Sequence, residues 1–361
     1  MVCSSLARLL VCLIGWPNST RPLFWDSDGY LSFSISFINS KNPPPPSEIH
    51  QSATPTIIMW RITLFFRNIY LRITVNLLRA VFKLTRPAPI PSHSQYTLNI
   101  PSRDIGRTIT ASLYTKDEPS PSLPQPVLIN FHGSGMIFPA FSSDDEFCNH
   151  ISQNTNYAVI DVKYRLSPEN PFPSAVNDAE DVIRWVQGQP QKYDQTRLSI
   201  SGFSSGGNIA IVTATAIMPK STFRSVLTFY PGVDLASDPA GKFAPDTSVG
   251  KVIPARIARF FHRCYIPVGV DARDPRISPL FADLSGFGSK LLVVTAARDN
   301  MAPEAERFAS LVKEHTGRED DVVLCRMEEC EHGWDKAPNL GPVQEEAKWR
   351  AYSMAIDVLR D

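Results

Sequence analysis

From Tyr96 to the end of the chain, short apolar runs alternate with stretches of helical spacing, and this alternation constrains the fold more than any other feature of the sequence. Strands that recur with a helix between them read as crossover units, which build a mostly parallel sheet covered by helices on its faces. The pattern predicts strands over Thr108–Tyr114, Pro126–Phe131, Tyr157–Lys163, Leu198–Gly202, Ser225–Tyr230, Leu291–Ala297 and Asp321–Met327. Helices are expected at Asp178–Gln187, at Glu304–His315 with Gly317 as its stop, and at Glu345–Leu359 as the closing element. The stretch Asp238–Asp274, rich in Pro, Arg and Phe, breaks the alternation and reads as an insertion placed to help roof a pocket.

The chain ahead of this region has a different character. Residues 1–58 carry Ser, Asn and Pro, including the run Pro43–Pro46, without a lasting period, and are expected to be mostly disordered. Leu9–Trp16 follows Arg8 like the core of a secretory signal, but it is short and no small-residue cleavage site follows; the expected compartment is the cytoplasm, and secretion is the lesser reading. Met59 is the expected start of the stable protein, which the intact mass of the native protein would check. From Ile57 to Arg86 no acidic residue occurs. At about 100° per residue, Arg61, Arg72, Arg79, Lys83 and Arg86 gather on one side of a helix, with Trp60, Leu64, Phe66, Leu71, Leu78 and Phe82 elsewhere. Residues 59–95 therefore form a basic amphipathic segment, either a membrane-surface anchor or a cap helix over the domain formed by residues 96–361.

Charge narrows the partners. The 36 basic residues balance 36 acidic ones, which removes the global positive field that holds nucleic acid by its phosphates. A neutral or apolar small molecule fits better. The six cysteines are scattered, without the close pairs and histidines of a zinc site, so neither a metal nor another cofactor is expected.

The chemistry lies at Gly202-Phe203-Ser204-Ser205-Gly206, between a predicted strand and a predicted helix. Small residues on both sides of Ser204 let the backbone turn sharply and hold the hydroxyl at the end of the sheet, where the helix amino terminus favours negative charge. A serine hydroxyl needs a base, and the base needs a carboxylate to orient it. After Ser204 the histidines are His262, His315 and His332. His262 falls in the insertion and His315 near a helix end, whereas His332 follows the last strand, at the sheet's carboxyl edge. Asp299 directly follows the strand Leu291–Ala297; Asp320 and Asp321 precede a strand, and Asp234 stays open as the rival acid. Upstream, His132-Gly133-Ser134-Gly135 follows another strand, and the N–H groups of Gly133, Ser134 and Ser205 are candidates to stabilise an oxyanion.

Together with Tyr164-Arg165-Leu166-Ser167-Pro168-Glu169 and Pro171-Phe172-Pro173, these segments make the chain from about Leu98 onward similar to the hormone-sensitive-lipase family of α/β hydrolases. The resemblance implies the α/β-hydrolase fold with a helical cap, and serine esterase or lipase-like hydrolysis of small to medium apolar esters through Ser204, His332 and Asp299. It also implies an oxyanion hole at Gly133 and Ser134, and a structural role for Arg165 and Glu169 in tying loops together. Asp144-Asp145-Glu146-Phe147-Cys148 and Glu331-His332-Gly333-Trp334-Asp335-Lys336 resemble fungal members, among them acetyl esterases of polyketide pathways. Two positions depart from the pattern. Ser134 stands in place of a glycine, and Phe203 in place of the aspartate before the nucleophile; both are expected to narrow the substrate range. The same groups serve acyltransferases and amidases, and relatives of this fold that lack the histidine act as small-molecule receptors; retention of His332 argues for catalysis.

Overall fold

The structure, a computed structural model, describes residues 46–85, 93, 96–116, 123–248 and 253–360, and of residues 46–58 and 85 the backbone alone. It divides after Thr85 into two units. The first holds one long helix, α1 (Pro46–Thr85). This helix takes in Pro46–Ile58, part of the segment that the sequence places among residues without regular structure; residues 1–45 and the signal-like run Leu9–Trp16 lie outside the described residues. Among the described residues no helix is long and apolar enough to cross a membrane. Along α1 the exposed side chains of Ile62, Phe65, Phe66, Ile69, Ile73 and Leu77 share an arc of about 120° at helical spacing. Arg61, Arg72, Arg79 and Lys83 run along one border of that arc.

The second unit is built on eight strands. They are β1 (Tyr96–Pro101), β2 (Thr108–Tyr114), β3 (Gln125–Phe131), β4 (Ala158–Val162), β5 (Tyr193–Phe203), β6 (Ser225–Phe229), β7 (Lys290–Arg298) and β8 (Val322–Glu331). Their spatial order is β1-β2-β4-β3-β5-β6-β7-β8. The β1–β2 and β2–β4 pairs are antiparallel, and every other pair is parallel. The expected strands all form, with ends shifted by a few residues; β5 starts five residues before its apolar run, at Tyr193, where Gln125 and Tyr193 pair.

The inner strands are buried and mostly apolar because helices cover both faces of the sheet. Alternate side chains supply two cores. Val127, Ile129, Ile160, Ile200, Val226 and Val293 pack with α3 (Ser174–Gln187), α4 (Ser205–Val212) and α6 (Ala302–Thr316). Leu128, Val159, Leu227, Leu292 and Val294 face Phe147 of α2 (Asp145–Asn154) and Tyr352 of α7 (Pro342–Arg360). Gly317 ends α6 in the left-handed conformation, as its position predicted. The insertion contains α5 (Ala255–Tyr265), whose apolar residues Ile257, Phe260, Cys264 and Tyr265 are buried. Arg165 bonds Asp178 through its backbone N–H and its Nε, and pairs Asp104 at 2.6 Å. It thus ties β-strand connections to α3, the structural role its motif implied.

Candidate active site

Because the parallel strands all point one way, the loops at their carboxyl ends meet along one rim, where sites of open α/β sheets form. Ser204 sits between the end of β5 and the start of α4 with φ 51° and ψ −116°, outside the conformations a serine normally adopts. The turn survives because its flanks are glycine. A Cβ on Gly202 would lie 2.2 Å from the Gly206 carbonyl oxygen, and one on Gly206 would lie 1.9 Å from the Phe131 carbonyl oxygen. Backbone on backbone leaves no side chain to move aside. The Ser204 N–H donates to the Phe229 carbonyl at 2.9 Å, fastening the turn to β6.

Three rim loops then bring distant residues together. The His332 Nε2 lies 2.9 Å from the Ser204 Oγ, and its Nδ1 lies 2.7 Å from the Asp299 Oδ2. Asp299 is buried, and its other oxygen accepts the Met301 N–H at 3.0 Å, so the carboxylate is held at both ends. The rival acid Asp234 is used in its own turn, accepting the N–H groups of Ala236 and Ser237. Of the other histidines, His315 bonds the Leu311 carbonyl within α6. His262 lies half-buried in the insertion, where burial and the charge of Lys242 push it down to about 4.

The loop after β3 lies against the nucleophile: a Cβ on Gly133 would be 3.4 Å from the Ser204 Cβ and 3.2 Å from the Phe203 oxygen. Ser205 opens α4, so its N–H has no partner inside the helix. Ser134 is engaged through both its backbone and its side chain. Its N–H donates to the Ser205 Oγ at 2.9 Å, while its own hydroxyl lies 2.7 Å from the Tyr164 hydroxyl. Tyr164 also donates to the His132 carbonyl at 2.7 Å and stacks on the His132 ring. The side chain at 134 thus turns toward Tyr164. Phe203 is likewise buried, stacked 4.3 Å from Phe229, so it packs beneath the turn rather than beside a substrate.

The insertion reaches this rim. Phe261 of α5 lies so close to Gly135 that a Cβ there would be 2.8 Å from its ring, and Phe138 meets Phe261 edge to face at 5.8 Å. Asp246 pairs with Arg298 at 2.9 Å, and Asn300 donates to the Ile253 carbonyl at 3.1 Å, so the residues on both sides of Asp299 hold the insertion. Glu304 accepts the N–H groups of Val233 and Asp234 at 3.0 and 3.2 Å and pairs with Lys242. In the sequence Glu304 reads only as the start of a helix. Tyr164 belongs to the motif that implies a structural role for Arg165 and Glu169, and the motif implies none for Tyr164 itself.

Several proteins similar to this chain are esterases. Ethyl acetate hydrolase of Pseudomonas putida is 29% identical over 217 residues, 59% of this chain and 67% of that protein. A carboxylic ester hydrolase of Mycobacterium tuberculosis is 29% identical over 201 residues, 52% of each chain. Versiconal hemiacetal acetate esterase of Aspergillus parasiticus is 34% identical over 96 residues, 27% of this chain and 30% of that one. The chain thus spans between about a third and two thirds of these relatives. Among solved structures, a hyperthermophilic esterase of the archaeon Pyrobaculum calidifontis superposes with a TM-score of 0.65 at 30% identity, covering 78% of this chain and 92% of that one. The family model described as the alpha/beta hydrolase fold matches residues 128–336, more than half of the 361, and the chain belongs to that family.

Proposed function

We propose that the protein is a serine carboxylic ester hydrolase in which Ser204 is the nucleophile, His332 the general base and Asp299 the group that orients it. The observation that carries this reading is the unbroken path Ser204–His332–Asp299, at 2.9 and 2.7 Å, on the carboxyl rim of the sheet. His332 takes the Ser204 proton as the oxygen attacks the ester carbonyl, and Asp299 stabilises the imidazolium that results. The negative oxygen of the tetrahedral intermediate is met by the N–H groups of Gly133 and Ser205. Ser134 adds a third donor once the Ser205 hydroxyl turns away from its N–H. His332 then protonates the departing alcohol, and water repeats the cycle on the acyl-enzyme.

Phe138 and Phe261, beside the oxyanion loop, favour a small to medium apolar ester, such as an acetyl ester of a secondary metabolite. The similarity to ethyl acetate hydrolase and to versiconal hemiacetal acetate esterase supports the same choice. The exposed apolar arc of α1 with its basic border is the surface through which the protein meets an anionic membrane. Two measurements address these points: hydrolysis rates on nitrophenyl esters from acetate to long chains, and flotation of the protein with anionic and with neutral vesicles. Acetate and other short acyl groups should give the highest kcat/KM, and the protein should float with anionic vesicles but not with neutral ones. A profile that rises toward long chains sinks the short-acyl assignment, and flotation with neither vesicle sinks the membrane surface.

A further inference from the structure

Behind the catalytic rim a buried charged network joins the loop of His332 to the turn of Ser204. Lys336, four residues after His332, places its Nζ 3.8 Å from the centre of the Phe203 ring, immediately before the nucleophile. That distance is within the range of a cation–π contact. The same ammonium lies 3.0 Å from Asp335 and 3.2 Å from Asp144, and donates to the Tyr352 hydroxyl at 3.1 Å. Burial alone would lower the ammonium's pKa, but the charges of Asp144 and Asp335 outweigh it and keep the cation protonated. Asp335 in turn accepts the hydroxyls of Tyr230 at 2.6 Å and Tyr352 at 2.9 Å. The Tyr230 ring meets the His332 imidazole edge to face, with centroids 4.9 Å apart.

Tyr230 pays for this place with a backbone φ of 40°, which only surrounding contacts can hold in a bulky residue. It is fastened on both sides, its N–H to the Val294 carbonyl and its hydroxyl to Asp335. Asp144 is fixed from below by Asn130, whose amide also reaches Asp161 and whose oxygen accepts the Ser201 hydroxyl. One cation thus touches the residue before the nucleophile and the carboxylate whose tyrosine abuts the base.

We propose that Lys336, Asp335 and Tyr230 are positioning residues: the ammonium fixes Asp335, Asp335 fixes the Tyr230 hydroxyl, and the Tyr230 ring sets the tilt of His332 toward Ser204. The inference rests on the catalytic reading above. It also gives Phe203 a partner, since the aromatic face at that position receives its charge from the loop of the base.

Tyr230→Phe is the mildest probe, because it keeps the ring and removes only the bond to Asp335. Its kcat should fall about tenfold, as a small misplacement of a reacting group does, with KM essentially unchanged. The rate at which an organophosphate labels Ser204 should fall in parallel. Lys336→Met should fall at least as far, and Lys336→Arg, which keeps a cation between the two carboxylates, should recover most of the loss. Thermal unfolding establishes that each variant is folded, and Tyr230→Phe decides the matter if Lys336→Met is not. A folded Tyr230→Phe with wild-type kcat and labelling rate, or with its loss confined to KM, overturns the positioning role. A wild-type protein that no organophosphate labels overturns the catalytic reading together with it.

Discussion

Gly206 shows at the scale of one residue why the serine turn is so restrictive. Its missing side chain leaves room for the carbonyl of Phe131 at the end of β3, so a methyl group there pushes α4 away from that strand. Gly206→Ala should lower stability by more than about 3 kcal/mol and remove activity with it. Gly241→Ala is the control. Nothing lies within 4 Å of that position and its φ is ordinary, so urea unfolding should find it within about 0.5 kcal/mol of wild type. Equal effects at the two glycines would contradict the packing account of the turn.

The strands contribute a second kind of constraint, since β3, β4 and β5 carry polar groups across the inner face of the sheet. Asp161 of β4 is fully buried and pairs across Asn130 with Asp144. Burial first, and then the charge of Asp144, push its carboxyl up to about 8. Its ordinary value when unfolded is about 3.9. Between these values the folded chain holds a proton that the unfolded chain has released, so this group's contribution to stability falls as pH rises. Asp161→Asn carries no titrating proton. Its Tm should fall less steeply than that of wild type between pH 5 and pH 8, and parallel slopes would contradict the raised pKa.

Across the whole molecule, the parts legible in the sequence are those set by local periodicity or tight turns. The parallel sheet followed from alternating apolar runs, and Ser204, Asp299 and His332 followed from their places just after strands; the structure brings all three within hydrogen-bond reach. The early start of α1 escaped, because Pro46–Ile58 carries prolines and no sustained period. The engagement of Ser134 escaped for another reason. Its N–H is captured by Ser205, which is 71 residues away in sequence, and its hydroxyl by Tyr164, so only the packed turn shows which way it faces. Lys336 ends the segment Glu331–Lys336, yet a lone lysine after a histidine reads as solvated until Asp144 and Phe203 fold against it.

The account stands most directly on the turnover of Ser204→Ala and His332→Ala with a nitrophenyl acetate, measured on protein shown to be folded. Each should lose kcat by about 10⁴ or more, with Asp299→Asn losing somewhat less, because the three groups act as a unit. Turnover near wild type in either folded alanine variant would contradict it.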